Sequence, residues 1–245
     1  KIIGETGWYF PMIWKTVGVL HGKAGYVKEL QGKTLPDYEK FYMVGIDALR
    51  KAGRLVIHGD VGQTFMYGAK GGDVYVLGNA AGRPLINAVG HPRVVINGTC
   101  LDYLAESFMA GDPLNGGGFV VLNGIEFDDE ASIVDQATPY PGSNLFSLAS
   151  GGAIYLRDPH HKVVADQLNG GEFVDLSPAD WELILPYLEE NQKLFGISIE
   201  NDLLTVNGEK RNYTQVFRKV QAVTLDVLAK ESVGGEEWGE DWQKE

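Results

Sequence analysis

Few residues in this chain have the type and spacing to do chemistry. Cys100 is the one thiol among 245 residues. A nucleophilic or redox thiol needs a lowered pKa and access to a substrate. Cys100 instead sits between Thr99 and Leu101 in a glycine-punctuated stretch, where a lone cysteine usually serves as a small apolar filler. His160 and His161 stand near Asp158, yet adjacent residues on an extended segment point to opposite sides, and no second ligand pair at zinc spacing accompanies them. They are expected in a solvated turn. Gly78-Asn79-Ala80-Ala81-Gly82 with Arg83 suggests a phosphate nest, but a dinucleotide fingerprint lies between a strand and a helix, and no helical pattern follows. Gly116-Gly117-Gly118 fails the same test. Asp73, Asp102, Asp112 and Glu172 are carboxylates that a polysaccharide-cleaving enzyme would gather on one outer face, but their registers do not repeat. The expectation is no catalytic, no cofactor-binding and no metal-binding residue in this chain.

Composition narrows the partners. Acidic residues outnumber basic ones 33 to 21, a formal net charge of −12, so a phosphate backbone would be met against the overall field and no nucleic-acid partner is expected. One cysteine excludes an internal disulfide and any Cys-rich metal or iron–sulfur site built by this chain alone, which fits a reducing cytoplasm. No uninterrupted apolar run approaches the ~18 residues of a membrane helix, so no membrane partner is expected either. The chain begins at Lys1 rather than Met; its apolar start, broken by Gly4, Gly7 and Pro11, carries no signal-peptide cleavage pattern, and a cytoplasmic location is expected.

What must position these residues is set by glycine, 32 of 245 residues against a usual share of roughly 7%. Six short strands share one grammar: 54–59, 71–78, 90–98, 117–124, 151–156 and 170–176. The closing glycines Gly59, Gly78 and Gly98 are 19 and 20 residues apart, and Gly152 and Gly171 are again 19 apart; the stretch from Glu126 to Ser150 reads as an insertion. One strand per unit of about 20 residues asks for strands stacked at ~4.8 Å. The predicted architecture is therefore all-β with a helical appendage: a single-stranded right-handed parallel β-helix in which Val74 and Val76 point inward while Asp73, Tyr75 and Leu77 point outward. A β-sandwich is the alternative, but some 12 residues separate Ile57-His58 from Asp73-Val74, longer than hairpin loops of 2–5. The Leu-x-x-Leu-x-Leu frame of leucine-rich repeats is absent.

Three segments follow. Residues 1–53 form an N-terminal segment, partly a continuation of the coil, with Asp37 to Ala52 either a short helix or an irregular turn. Residues 54–176 carry the repeats, and 177–245 form a helical cap and acidic tail. Ser177-Pro178-Ala179-Asp180 is a helix start, with Ser as N-cap, Pro at the first helical position and Asp where the dipole favours an anion. That helix should run from Pro178 to about Phe195, kink at Pro186 and stop at Gly196. A second is expected near Tyr213 to Lys230, the pair closing the open end of the coil.

The glycine grammar, above all Gly59-Asp60-Val61-Gly62, Gly78 to Arg83 and Gly170-Gly171-Glu172-Phe173-Val174-Asp175-Leu176, resembles the G-x-G-x-G domain over about Arg54 to Lys219. That domain closes the large subunit of glutamate synthase and also forms one of the subunits of formylmethanofuran dehydrogenase. Thr99-Cys100-Leu101-Asp102-Tyr103 is similar to a Gly-Cys-Glu-Tyr stretch of the family, with Thr and Leu-Asp as departures; Pro84, His91-Pro92 and the insertion after Glu126 also depart. The resemblance implies a right-handed β-helix acting as a non-catalytic scaffold of a glutamate synthase-like oxidoreductase in nitrogen assimilation. Partner domains or subunits would supply an amidotransferase, FMN and an iron–sulfur cluster, with no cofactor in this chain. The amidotransferase nucleophile is an N-terminal cysteine, whereas residue 1 here is Lys. An equivalent scaffold in a formylmethanofuran dehydrogenase-like complex is the second reading, and a carbohydrate-active β-helix enzyme the third.

The aromatic start, Trp8-Tyr9-Phe10 with Met12, Ile13 and Trp14, has the composition of an interface core, with packing on the chain's own body as the alternative. The interface reading predicts that Trp8→Ala with Trp14→Ala leaves the melting temperature unchanged and weakens assembly, read by sedimentation; a lost fold with unchanged assembly would reverse it.

Overall fold

A computed structural model of the chain describes residues 2–11, 17–26 and 53–223. The chain divides into two compact units, Lys1–Tyr42 and Met43–Glu245. In the first, β1 (Ile2–Pro11) and β2 (Val17–Tyr26) form an antiparallel hairpin with Trp8 opposite Leu20.

The second unit runs β3 (Arg54–Ile57), β4 (Gly71–Val76), β5 (His91–Ile96), β6 (Phe119–Leu122), β7 (Ile125–Phe127), β8 (Ile133–Asp135), β9 (Ala153–Arg157), β10 (Gly171–Val174), α1 (Pro178–Phe195), β11 (Thr205–Val206), β12 (Glu209–Lys210), α2 (Tyr213–Val216) and β13 (Phe217–Ala222). Its main sheet has seven strands in the order β10-β13-β9-β6-β5-β4-β3. Five of them, β3 to β6 and β9, are parallel and in register, so Leu55, Val74, Val94, Val120 and Ile154 form one row and Ile57, Val76, Ile96, Leu122 and Leu156 another. These rows face one core with Phe65, Met66, Leu85, Leu104, Phe108 and Phe146 from the connections. The alternate residues of the same strands, Tyr75, Val95, Phe119, Val121 and Tyr155, face a second core under α1, against Ile184 and Leu188. Burial on both faces is why these strands read as near-continuous apolar runs.

The connections are as ordered as the strands. Every second residue of four of them has positive φ: Thr64 and Met66, Arg83, Leu85 and Asn87, Tyr103, Ala105 and Ser107, Asn144, Phe146 and Leu148. Each such non-glycine residue costs on the order of 1 kcal/mol. Backbone bonds from one connection to the next offset that cost, with Leu85 N donating to Phe65 O at 2.7 Å, Ala105 N to Pro84 O at 2.9 Å and Phe146 N to Leu104 O at 3.0 Å.

Glycine is required at two strand ends where backbone meets backbone. Gly78 N donates to Gly59 O at 3.1 Å and Gly98 N to Gly78 O at 3.0 Å. A Cβ on Gly98 would lie 2.8 Å from the carbonyl carbon and oxygen of Gly78. Beside this column Asp60 Oδ1 accepts from Asn79 N at 2.7 Å, and Asn79 Oδ1 from Thr99 N at 2.8 Å.

Several expectations are corrected. The chain is not the all-β single-stranded right-handed parallel β-helix that the repeat predicts: the described residues form a mixed α/β arrangement, a mostly parallel seven-stranded sheet with antiparallel pairs and few helices. The sixth unit, β10, does not stack on the fifth; β13 lies antiparallel between β9 and β10. Local alternation and glycine spacing report that a strand forms, not which strand becomes its neighbour. The second helix is also shorter than expected, four residues before the chain turns extended into β13. α1 lies on a face of the sheet rather than over an end, so Tyr75 points away from the first core yet is buried. It passes Pro186 as one helix of 18 residues. Within the insertion, residues 144–148 form a regular connection, and the departure is the antiparallel hairpin β7–β8. The expectations for 37–52, for 224–230 and for the acidic tail lie outside the described residues.

Gly98→Ala is expected to lower stability by roughly 2–3 kcal/mol, because the added methyl meets backbone that cannot move. Gly82→Ala, where the nearest atom is 3.6 Å away, should stay within about 1 kcal/mol. Urea unfolding of the two variants separates these outcomes.

Candidate functional site

The functional features of the second unit gather where α1 meets the sheet. Ser177 caps α1, accepting from Asp180 N at 3.1 Å, Pro178 opens it, and Gly196, at φ 78°, ends it. The cap does more than start the helix. Asp180 turns inward and accepts from the Tyr155 hydroxyl at 2.7 Å and Lys219 Nζ at 2.8 Å on Oδ1, and from Ser177 Oγ at 2.6 Å on Oδ2. Tyr155 comes from β9 and Lys219 from β13, so one carboxylate joins helix, parallel strand and inserted antiparallel strand.

Electrostatics follow from burial. Desolvation alone would raise the Asp180 pKa, but hydrogen bonds from Lys219, Ser177 and Tyr155 outweigh it and hold the carboxyl below its ordinary range. The Tyr155 phenol is pushed up, first by burial and then by its bond to Asp180. Lysine, tyrosine and carboxylate together can relay a proton only where a substrate reaches them. With Tyr155 at 0% and Asp180 at 2% exposure, this trio holds the fold rather than turning over a substrate.

A second buried cluster fixes the other end of α1. Asn97 Nδ2 donates to Val76 O and to Asn191 Oδ1, each at 2.9 Å, while Asn191 Nδ2 and Asn123 Nδ2 both donate to Asn97 Oδ1 at 2.9 Å. Asn97 and Asn123 follow β5 and β6, and Asn191 lies on α1. At the equivalent point of β9 stands Arg157, 2% exposed, donating to Leu203 O at 2.8 Å and paired with Asp135 at 2.6 Å. A groove of about 480 Å³ opens between α1 and the turn after it, lined by Leu185, Glu189, Gln192, Lys193, Ser198 and Glu200 among others. Its polar groups are engaged locally: Gln192 Oε1 accepts from Ile199 N at 2.9 Å, and Glu200 pairs with Lys210 at 2.6 Å, which holds its carboxyl low.

The residues singled out by sequence are scattered. Cys100 is buried, its Sγ donating to Leu101 O at 3.1 Å, and burial raises its pKa well above the ordinary thiol value. Asp158 accepts from Lys162 N at 2.7 Å, Val163 N at 3.1 Å and Arg218 at 3.1 Å, so it organises the turn that carries the exposed His160 and His161. Arg83, after Gly78 to Gly82, pairs with Glu106 at 2.9 Å. Gly116 ends a short 3-10 turn capped by Asp112, and Gly117 N and Gly118 N donate to Asp112 O and Ala110 O. Asp102 accepts from Ser143 N at 2.6 Å and Glu172 from Gln221 at 3.0 Å, while Asp73 lies on β4 between Arg54 and Arg93. No two of these four carboxylates share a partner among the described residues. Trp8 is 59% exposed; Trp14, Met12 and Ile13 lie outside the described residues. Sequence reading missed Tyr155, Lys219 and Arg157, although the cap Ser177-Pro178-Ala179-Asp180 pointed to Asp180.

Among the described residues, no group of three or more His, Cys, Asp and Glu is placed to hold a metal ion, and no helix is long and apolar enough to cross a membrane. The model of the GXGXG motif matches residues 13–220. Neither a curated protein nor a solved structure matches the chain.

Asp180→Asn leaves the Lys219 charge buried without its counter-ion and is expected to cost about 3 kcal/mol. Because the folded Asp180 pKa is depressed, its contribution is complete above the ordinary value of 3.8 and is lost as pH falls through the folded one. Chemical denaturation between pH 2 and pH 7 should show that loss, confined to the acid end, in the parent and a smaller one in Asp180→Asn.

Proposed function

The chain belongs to the GXGXG motif family, matched over residues 13–220, and from that membership we propose that it is a structural domain or subunit of a glutamate synthase-like oxidoreductase. In this reading it makes no bond changes itself. It holds an amidotransferase, which releases ammonia from glutamine, and a flavin-bearing reductase at a fixed separation.

The observation that carries the reading is the family match together with the body it describes. A sheet buried on both faces and tied to α1 at Asp180 and at Asn191 has few soft joints, which suits a spacer better than a flexible linker. FMN and an iron–sulfur cluster would belong to the partners. A cluster takes several cysteine thiolates, and this chain has one cysteine, itself buried.

The test is mild affinity purification of the tagged chain from its native host, with the partners identified by mass spectrometry and by flavin and iron–sulfur absorbance. A coloured complex that forms glutamate from glutamine and 2-oxoglutarate is the expected result. A partner holding molybdenum or tungsten, or a colourless single chain, would overturn it.

A further inference from the structure

Asparagine followed by glycine is a reactive pair. The glycine nitrogen, with no Cβ beside it, can attack the side-chain carbonyl carbon of the asparagine. The new C–N bond closes a succinimide ring, the bond to the amide nitrogen breaks, and ammonia leaves. Water then opens the ring to aspartate or, at the other carbonyl, to isoaspartate, whose main chain runs through the former side chain. The ring closes only where the amide and the glycine N–H are both unengaged and the backbone can bring them together.

The sequence holds five such pairs: Asn97-Gly98, Asn115-Gly116, Asn123-Gly124, Asn169-Gly170 and Asn207-Gly208. The fold engages four of them. Asn97 and Asn123 are buried with their amides bonded to each other under α1, and Gly98 N and Gly124 N donate to Gly78 O at 3.0 Å and Gly98 O at 3.2 Å. Asn115 is exposed, but its amide donates to Asp112 and Gly116 N donates to Pro113 O at 3.2 Å. Asn169 Nδ2 donates to Asn144 Oδ1 at 3.0 Å and to Ser147 Oγ at 3.1 Å.

Asn207-Gly208 differs on every count. It is the turn between β11 and β12, exposed at both residues, with φ of 53° and 81°, the two positive values that an Asn-Gly hairpin turn adopts. Among the described residues, neither the Asn207 side chain nor Gly208 N makes a hydrogen bond. β11 and β12 have two residues each and form a sheet of their own. So short a ladder opens at low cost, whereas the Asn97 and Asn123 pairs react only after the helix–sheet interface has opened.

The geometry points to Asn207 as the site at which this chain deamidates, by attack of Gly208 N on Asn207 Cγ. The product places a new negative charge beside Glu209, and its isoaspartate form lengthens the main chain of the turn, which works against the register of Val206 opposite Glu209. Val206 is a residue of the second core, so the change reaches the body through it. The inference does not depend on the assembly reading above.

The experiment holds the purified full chain for weeks in mildly acidic and mildly alkaline buffer, digests it in acid and maps the peptides by mass spectrometry, with isoaspartate scored by enzymatic methylation. The Asn207 peptide should convert first, at least about tenfold faster than those of Asn97 and Asn123, because a buried pair waits on local opening. Conversion should be faster in alkali, where the attacking nitrogen is more readily deprotonated, and should yield isoaspartate. Asn207→Gly, which keeps the positive φ, should leave the other four rates unchanged, and in unfolding urea the five parental rates should converge. Conversion at Asn115 or Asn169 ahead of Asn207, or at Asn207 no faster than at the buried pairs, overturns the assignment. Aspartate without isoaspartate overturns the ring-closing route, and a preference for Asn207 that persists in urea overturns the role of the turn.

Discussion

Leu55, Val74, Val94, Val120 and Ile154 lie in one row because five parallel strands keep the same register. Much else depends on that row. A slip of one residue in any strand would exchange its two faces, sending Val94 and Ile96 toward α1 and Val95 into the first core. The glycine column at Gly59, Gly78 and Gly98 marks the same register from the strand ends, since Gly78 N and Gly98 N meet the carbonyls of Gly59 and Gly78 where a Cβ on Gly78 or Gly98 would strike backbone. The left-handed residues of the connections are tolerated for the same reason. They are strained singly and bonded collectively.

On the outer face, α1 converts a sheet into a two-sided core. Its apolar residues Ile184 and Leu188 cover Phe119 and Tyr155, each contributing on the order of 2 kcal/mol through burial. Burial alone would let the helix slide. Two polar ties give it a position: Asp180 with Tyr155 and Lys219 near its start, and Asn191 with Asn97 near its end. Hydrogen bonds in a dry interface cost more to break than they contribute when made, so they select one arrangement among several of similar apolar area. Near β4, the Tyr75 hydroxyl is pushed up to about 12, first by burial and then by the charge of Asp73, so it stays neutral beneath the helix.

The groups that could do acid–base or thiol chemistry are out of reach of solvent. The acid–base trio that most resembles a catalytic set is sealed, and Cys100 is a core residue. The large apolar side chains that face solvent are spread over the described residues, Leu148, Val164 and Leu101 in the second unit and Trp8 on β1 in the other among them.

Much of this was legible in the residues themselves. Glycine spacing located β3 to β6, β9 and β10, the alternation in Val74-Tyr75-Val76 gave two faces, and Ser177-Pro178 with Gly196 bounded α1, because turn sterics, side-chain period and cap bonding are local. The GXGXG family was legible too, since its signature is those same glycines. Only the tertiary structure decided that β13 enters between β9 and β10, that α1 lies across a face, and that Tyr155, Asp180 and Lys219 meet. Phe217 to Ala222 lack a clean apolar–polar alternation and suit several positions in a sheet. Which one they take depends on the free edge of β9 and on the buried charge of Asp180, contacts across 39 residues and more that no local pattern records.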